Sequence, residues 1–438
     1  MRKLTLLPLI ASIYFIVAGG PFGLEDIVAR SGYGGAILIL LATALIWAAP
    51  TALMVSELTS ALPQEGGYYV WATRGLGRFW GFQEAWLSLA GSIFDMAIYP
   101  TLFVAYLGHF VPSAVAGGRG VWIGVALVAV CAVWNLLGVR SVGVSAVFMG
   151  LLLLAPFAVL SVCALVFRSR AAAAPAPAFD FLGAAMVAMW NYMGWDNSST
   201  IAGEVERPQR TYSLALAGAI ALVTLTYVLP VAAVATTGVA PGAWSTGGWA
   251  DVARQVLQGH GGAALLAATI TAAGMLSAAG TQNALTMALS RLPAVLAEDG
   301  YLPRALAWRS PRTGAPWVSI LACAAGWALC LQLTFVKLIM LDVLLTGLSI
   351  GLEFAALVAL RIREPHLPRP FRVPGGLAGA IGIAIPPLLL IVLSVIRNQA
   401  EPVGPINALQ LGGLLILAGV ATYFLSRPRR AAGRNGTA

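Results

Sequence analysis

The segment Ile16-Val17-Ala18-Gly19-Gly20-Pro21-Phe22-Gly23-Leu24-Glu25-Asp26 interrupts an otherwise apolar run. Inside a helix Gly costs about 1 kcal/mol relative to Ala and Pro about 3, so a helix does not pass comfortably through it. Two adjacent carboxylates follow at once. In a membrane span, irregular backbone persists only where it is buried in protein or lines a cavity. Discontinuous helices near the bilayer midplane are how secondary transporters build substrate sites. The alternative, a tight turn ahead of an ordinary hairpin, is disfavoured because a second break recurs half a chain later.

That second break reads Met189-Trp190-Asn191-Tyr192-Met193-Gly194-Trp195-Asp196-Asn197-Ser198-Ser199-Thr200. Gly, Asp, Asn and Ser are poor residues for a helix interior because their side chains compete for backbone groups. An Asp at mid-membrane costs several kcal/mol unless it is paired or wet. The surroundings are strongly apolar: of 438 residues, 59% are hydrophobic, only 10% are charged, and the mean hydropathy is +0.85. Soluble domains carry about 25% charged residues.

Apolar segments long enough to cross a bilayer lie at 5–30, 34–57, 80–108, 120–139, 143–167, 181–204, 211–237, 263–289, 317–334, 336–361, 377–396 and 406–425. The first is too long, and too polar in its second half, for a cleaved signal peptide. The first and sixth are the broken ones, five spans apart, which is the spacing of an inverted five-helix repeat. The expectation is an all-α integral membrane protein of about 12 transmembrane helices, a 5+5 inverted repeat with broken helices one and six plus two extra helices. The first repeat is placed at 1–168, the second at 169–362, the extra pair at 363–426 and a basic tail at 427–438.

The net charge of +9 is explained by its distribution rather than by nucleic acid. With the N-terminus in the cytoplasm, only Arg30, Arg119, Arg168, Arg170, Arg254, Lys337 and Arg397 fall on the far side, leaving 19 of the 26 Lys and Arg on the cytoplasmic side. This follows the positive-inside rule on average, the Arg168/Arg170 pair being an exception. It places both termini in the cytoplasm of a multi-pass protein in the cell membrane. His109, His260 and His366 lie in separate loops and assemble neither a metal site nor a nucleophile–base pair. No phosphate-binding Gly-rich lysine motif is present. An enzyme, a metal cofactor and direct ATP drive are therefore not expected.

Several motifs carry a resemblance. Gly19 to Asp26 resembles the first-helix motif of the polyamine-transporter branch of the amino acid–polyamine–organocation superfamily. So do Gly81-Phe82-Gln83-Glu84-Ala85-Trp86, Phe94-Asp95-Met96-Ala97-Ile98-Tyr99-Pro100, Trp195-Asp196 with the segment 202–210, and Leu360-Arg361 with Arg369-Pro370-Phe371-Arg372-Val373-Pro374. Pro63 to Trp71 and Asp299-Gly300-Tyr301-Leu302-Pro303 are similar to loops of the wider superfamily. The resemblance covers about residues 5–400. It implies the LeuT-type fold, alternating access around spans one and six, and permease activity driven by an ion gradient or by exchange. The loop 238–262 fits the family's external lid, with helical amphipathic spacing at 249–257; a solvated connector is the alternative.

Amino-acid members of the superfamily bind the substrate carboxylate on free backbone N–H groups at the first break. Here Pro21 removes one donor, and Glu25 and Asp26 add negative charge where a carboxylate would pass. Span-borne acids point the same way: Glu84, Asp95, Asp196, Asp342 and Glu353, with almost no Lys or Arg to neutralise them. Carboxylates with aromatic neighbours hold ammonium groups by charge-assisted hydrogen bonds and cation–π contact. The candidate substrate-binding residues are Gly19, Gly20, Pro21, Phe22, Gly23, Asp95, Tyr99, Asn191, Tyr192, Trp195, Asp196 and Glu353, with Trp190 flanking the second break.

Glu25, Asp26 and Glu84 are assigned to gating or charge, and Asp342 to a pair with Lys337 or to the outer interface. Glu57, Glu204 and Glu206 are expected to pair with Arg74, Arg78 or Arg210 near cytoplasmic ends. Sodium-coupled relatives use carbonyls of helix one with hydroxyls of span eight, which Ser277 and Thr281 could supply; small hydroxyl residues also simply pack helices. A titrating carboxylate could carry a proton instead, so the coupling ion, H+ or Na+, stays open.

The reading is a secondary transporter for a small organic amine, a di- or polyamine, as ion symporter or exchanger. An amino acid permease of the same superfamily is the alternative. A non-transporting, partner-dependent subunit is a third reading, against which both breaks are intact and no cysteine lies in an extracellular loop to tether an accessory chain. The topology has a direct check: a cysteine introduced by Gly433→Cys should remain unlabelled by an impermeant thiol reagent in intact cells and become labelled on permeabilisation.

Overall fold

The two breaks organise the fold. In a computed structural model, which describes residues 5–64, 66–137, 143–168, 179–197, 199 and 208–426, helix α1 (Leu6–Val17) stops at the first break and α2 (Glu25–Thr43) resumes after it. A π turn at Ala44–Ala48 leads into α3 (Ala49–Ala61). There follow α4 (Gly67–Leu76), α5 (Arg78–Phe110), α6 (Pro112–Val115), α7 (Arg119–Leu136) and α8 (Gly143–Val166). Helix α9 (Phe181–Asn191) ends at the second break.

The rest of the chain forms α10 (Pro208–Val234), α11 (Trp249–Val256), α12 (Ala263–Leu289), α13 (Arg291–Glu298), α14 (Trp317–Leu329), α15 (Phe335–Arg363), α16 (Gly376–Asn398) and α17 (Ala408–Leu425). One hairpin, Pro402–Val403 with Ile406–Asn407, joins α16 to α17.

Among the described residues, eight helical stretches are long and apolar enough to cross a membrane: Glu25–Ala61, Arg78–Phe110, Arg119–Leu136, Thr211–Val234, Ala263–Glu298, Phe335–Arg363, Gly376–Asn398 and Ala408–Leu425. Shorter apolar helices at Leu152–Val166, Phe181–Asn191 and Trp317–Gln332 coincide with the expected spans five, six and nine. The boundary expected near 30–34 is no loop: α2 runs on through a kink at Gly32, where φ is 65° and ψ is 178°. Arg30 beside that kink pairs with Asp180 at 2.8 Å, and Asp180 accepts from Gly183 N at 3.0 Å to cap α9. One acid thus fixes the start of the second broken element against the end of the first.

Helices α5 and α15 pack along each other more extensively than any other pair. Gly91 permits this: a Cβ there would meet Thr346 Oγ1 at 2.4 Å. Helix α12 covers another face of α5, and α1 lies against α10 and α8.

At the far end of α3, Glu57 is fully buried and takes up Arg361 of α15. It also accepts from Val373 N at 2.7 Å and lies 3.3 Å from Arg369 Nε. The segment Arg369 to Pro374 therefore wraps around this carboxylate. Glu57 does not meet Arg74 as the sequence suggests, because Arg361 reaches it first from the last turns of α15. Arg74 instead makes a bidentate pair with Glu364, at 2.9 and 2.7 Å, and its guanidinium holds that carboxyl below the usual carboxylate range. Lys337 is not the partner of Asp342; its Nζ donates to Pro402 O at 3.0 Å. Glu204, Glu206 and the Arg210 side chain lie outside the described residues.

Breaking a buried ion pair strands a charge and costs roughly 3–5 kcal/mol, whereas exposed pairs contribute about 0–1. Glu57→Ala should therefore lower the stability of the purified protein by several kcal/mol. Glu364→Ala should lower it by no more than about 1 kcal/mol. Unfolding followed by denaturant or heat in detergent distinguishes the two, and equal losses would contradict the burial of the Glu57 network.

Candidate functional site

Where α1 ends, Gly19, Gly20 and Gly23 take φ of 62°, 112° and 86°, in the region that L side chains avoid. At Gly23 the space is closed as well: a Cβ would meet the Trp190 ring at 2.9 Å and Phe335 at 3.3 Å. Ser277 of α12 donates to Gly19 O, so the hydroxyl and the break carbonyl do come together. Thr281, one turn on, lies near Gly19 and lines the central cavity. Pro21 has no N–H, but its carbonyl accepts from Trp249 Nε1 at 2.7 Å. Phe22 sits edge-on between Tyr106 and Phe157.

Glu25 and Asp26 occupy the first turn of α2, where the helix dipole favours acids. Tyr106 OH donates to Glu25, and Thr246 donates to Asp26 at 2.8 Å. Thr246 and Trp249 of the 238–262 loop thus rest directly on the first break. Trp244 Nε1 extends the contact to Tyr33 OH at 3.0 Å, and Tyr33 OH donates to Val239 O at 2.9 Å.

The second break touches the first. Gly194 has φ of 93°, and a Cβ on it would meet Ile16 O at 3.2 Å. Asn191 closes α9: its side chain donates to Val187 O and its carbonyl accepts from Tyr227 OH at 2.9 Å. Trp195 is fully buried and donates to Tyr192 O at 2.7 Å. Tyr192 OH donates to Thr224 at 3.3 Å. These two aromatics hold the shape of the break from behind. Asp196 is 5% exposed and its Oδ1 has no hydrogen-bond partner.

Between the breaks lies a small cavity that is partly open to solvent. It is lined by Ile16, Val17 and Ala18 of the first break's approach, by Asn191, Gly194 and Asp196 of the second, and by Asp95, Tyr99, Asp342 and Thr346. Among the described residues, no Lys, Arg or His lines it. Asp95 accepts from Trp190 Nε1 at 3.0 Å and from Tyr99 OH at 3.3 Å, and the two rings lie 6.2 Å apart. Asp342 accepts from Thr346 at 2.7 Å.

Of the sequence candidates, Asp95, Tyr99, Asn191 and Asp196 meet at this cavity, with Thr281. Gly19 to Gly23, Tyr192, Trp195, Ser277, Glu84 and Glu353 are not in its lining. Glu84 and Glu353 are fully buried behind the wall, where Glu84 accepts from Ser349 at 2.8 Å and Ser88 at 2.9 Å. Among the lining residues that are not site candidates, Asp342 and Trp190 bear most directly on the charge at Asp95. Asp342 lies eleven residues before Glu353, the same spacing as Glu84 to Asp95, and that match was the available signal. Trp190 was noted only as a neighbour of the break; nothing in a single sequence directs its indole N–H to Asp95.

The amino acid permease family profile matches residues 10–419. A probable polyamine transporter of Arabidopsis thaliana is 36% identical over 428 residues, covering 96% of this chain and 86% of the relative. A polyamine transporter of Oryza sativa subsp. japonica is 36% identical over 420 residues, covering 94% of this chain and 78% of the relative. The human cystine/glutamate transporter is 30% identical over 245 residues, 54% of this chain and 45% of its own length.

Strained positive-φ positions for a β-carbon cost of order 1–3 kcal/mol, and at Gly23 the steric conflict with Trp190 adds to it. Gly23→Ala should therefore lower the melting temperature measurably more than Gly34→Ala, where a Cβ meets nothing within 4 Å. Equal melting temperatures for the two variants would mean that the chain does not take this path at the first break.

Proposed function

The chain belongs to the amino acid permease family and is a transporter rather than an enzyme, and from this we propose that it carries a cationic amine, a di- or polyamine, across the cell membrane. The observation that carries the reading is the cavity's charge: Asp95, Asp196 and Asp342 line it, and among the described residues no basic one does. A carboxylate substrate would add a further negative charge to this lining, which like-charge repulsion disfavours. An amine with two or more ammonium groups supplies one counter-charge for each of several acids, and Tyr99 and Trp190 offer ring faces beside Asp95. The names of the plant relatives agree with this substrate class.

The proposal includes the finer architecture. The eight long helices, the shorter apolar helices and the two broken elements are read as twelve spans, ten of them in a 5+5 inverted repeat of the LeuT type, with both termini cytoplasmic. Alternating access then means that the cavity between the breaks opens in turn at the lid and at the Glu57 end. The contact of Gly194 with the Ile16 carbonyl supports the pairing of spans one and six about one site.

A thermal-shift panel on the purified protein tests the substrate. Putrescine or spermidine should raise the melting temperature, and alanine should not; stabilisation by alanine alone would give the site to amino acids. Loss of a charge-assisted hydrogen bond costs about 1.5–3 kcal/mol, or roughly 10- to 100-fold in affinity. Asp95→Asn and Asp196→Asn should thus reach the membrane at normal levels and lose at least about tenfold in amine uptake at low substrate. Unchanged uptake in both would remove these residues from the site.

A further inference from the structure

Helices α5 and α15 each carry a polar stripe at one spacing. On α5 it is Glu84, Ser88, Gly91 and Asp95; on α15 it is Asp342, Thr346, Ser349 and Glu353. The helices run antiparallel along this seam: Ser349 donates to Glu84, Ser88 and Ser349 share a hydrogen bond of 2.7 Å, and Gly91 faces Thr346 and Asp342. One end of the seam, Asp95 with Asp342, opens on the cavity. The other end, Glu84 with Glu353, is separated from it by Ser88 and Tyr68, both of which line the cavity. Glu353 is 0% exposed and neither of its carboxylate oxygens has a hydrogen-bond partner; Glu84 is equally buried and its Oε2 has none.

Resting on the amine-transport reading, we propose that Glu84 and Glu353 form a separate proton site, which holds one proton while the cavity is empty and releases it when an ammonium group arrives at Asp196. Two carboxylates that are both 0% exposed and within electrostatic reach of each other do not both ionise in a dry interior without a cation. Among the described residues, the charged and titratable groups on the neighbouring elements are engaged elsewhere or are themselves acidic or phenolic. Asp196 from the second break is within electrostatic reach of both, and Tyr68 of α4 faces all three acids. Glu57 of α3 is committed to Arg361 and Arg369, and Arg74 of α4 to Glu364.

Helix α12 has no titratable residue. Tyr423 of α17 stacks on Tyr301, and Arg397 of α16 lies at the Asp180 end. Among the described residues the pair therefore meets no cation. An ammonium group beside Asp196 adds a positive charge near the pair and stabilises its second ionisation. The carboxyl O–H bond breaks, its electron pair stays on oxygen, and the proton leaves past the Ser88 hydroxyl, which touches both Glu84 and the cavity, to water. One positive charge enters as one departs.

Calorimetric titration of the full chain in detergent with spermidine, in two buffers of different ionisation enthalpy, counts the protons released. The wild type should release about one per bound amine near neutral pH. Glu84→Gln/Glu353→Gln should still bind spermidine, because neither residue lines the cavity, and should release close to none. Ser349→Ala, a variant that keeps both acids, removes a donor to the ionised form of Glu84 and should move proton release to higher pH.

Binding with unchanged release in the double variant, or an unmoved release profile in Ser349→Ala, overturns the proton site and leaves amine transport standing. Sodium that suppresses release in the wild type would assign the pair to a metal cation and likewise overturn it. A wild type that binds no amine overturns the transport reading itself.

Discussion

Negative charge buried without positive charge is the constraint on which the middle of this molecule depends. Removing a carboxylate from water costs several kcal/mol unless something replaces the lost solvent. At Asp95 the replacement is an indole N–H and a phenol; at Asp342 and Glu84 it is hydroxyl groups. All of these are neutral. They lower the cost of the charge without cancelling it, so the acids keep their appetite for a cation.

The same chain shows what cancellation looks like. Glu57 is as buried as Glu84, yet it is met by two guanidiniums and a backbone N–H. Tyr33, under the lid, and Glu57 are 24 residues apart on one nearly continuous helical path, about 36 Å at 1.5 Å per residue. The paired acid thus sits at one end of the bundle and the unpaired acids in its middle. The saturated acid serves structure; in the proposed function the unsaturated ones serve a ligand.

Much of this was legible in the sequence because its signals are local. Gly19, Gly20, Pro21 and Gly23 cannot sustain a helix whatever surrounds them, and Asp196 within an apolar segment announces a polar interior. What was not legible depends on which helix faces which. Pro21 reads as a missing donor, but only the folded chain shows its carbonyl claimed by Trp249. Asp342 reads as an interfacial acid near Lys337 until α15 is seen to turn the two residues to different neighbours. The kink at Gly32 was hidden because two spans with no loop between them look like one boundary of uncertain position. Glu353 sits on the right helix but behind the cavity wall, a depth that periodicity alone does not resolve.

The two ends of the bundle are closed by different physics. The lid end rests on the break through neutral donors and one carboxylate: Trp249 to Pro21 O, Trp244 to Tyr33, Thr246 to Asp26. The bonds between neutral groups contribute a net of about 0.5–1.5 kcal/mol each and a bond to a charged carboxylate about 1.5–3, because water makes nearly equivalent bonds when the end opens. The Glu57 end is held by a buried ion network, whose rupture strands charges unless water enters at the same moment. In the proposed alternating access, separation at the lid end breaks hydrogen bonds that water replaces singly, whereas separation at the Glu57 end must solvate buried charges. Since Arg361 lies on α15, eight residues beyond Glu353, the helix that carries half of the acid seam is also the helix that the ion network grips. A change in charge along the seam and the state of that grip act on the same rigid element, which gives the cavity and the far closure a shared mechanical part.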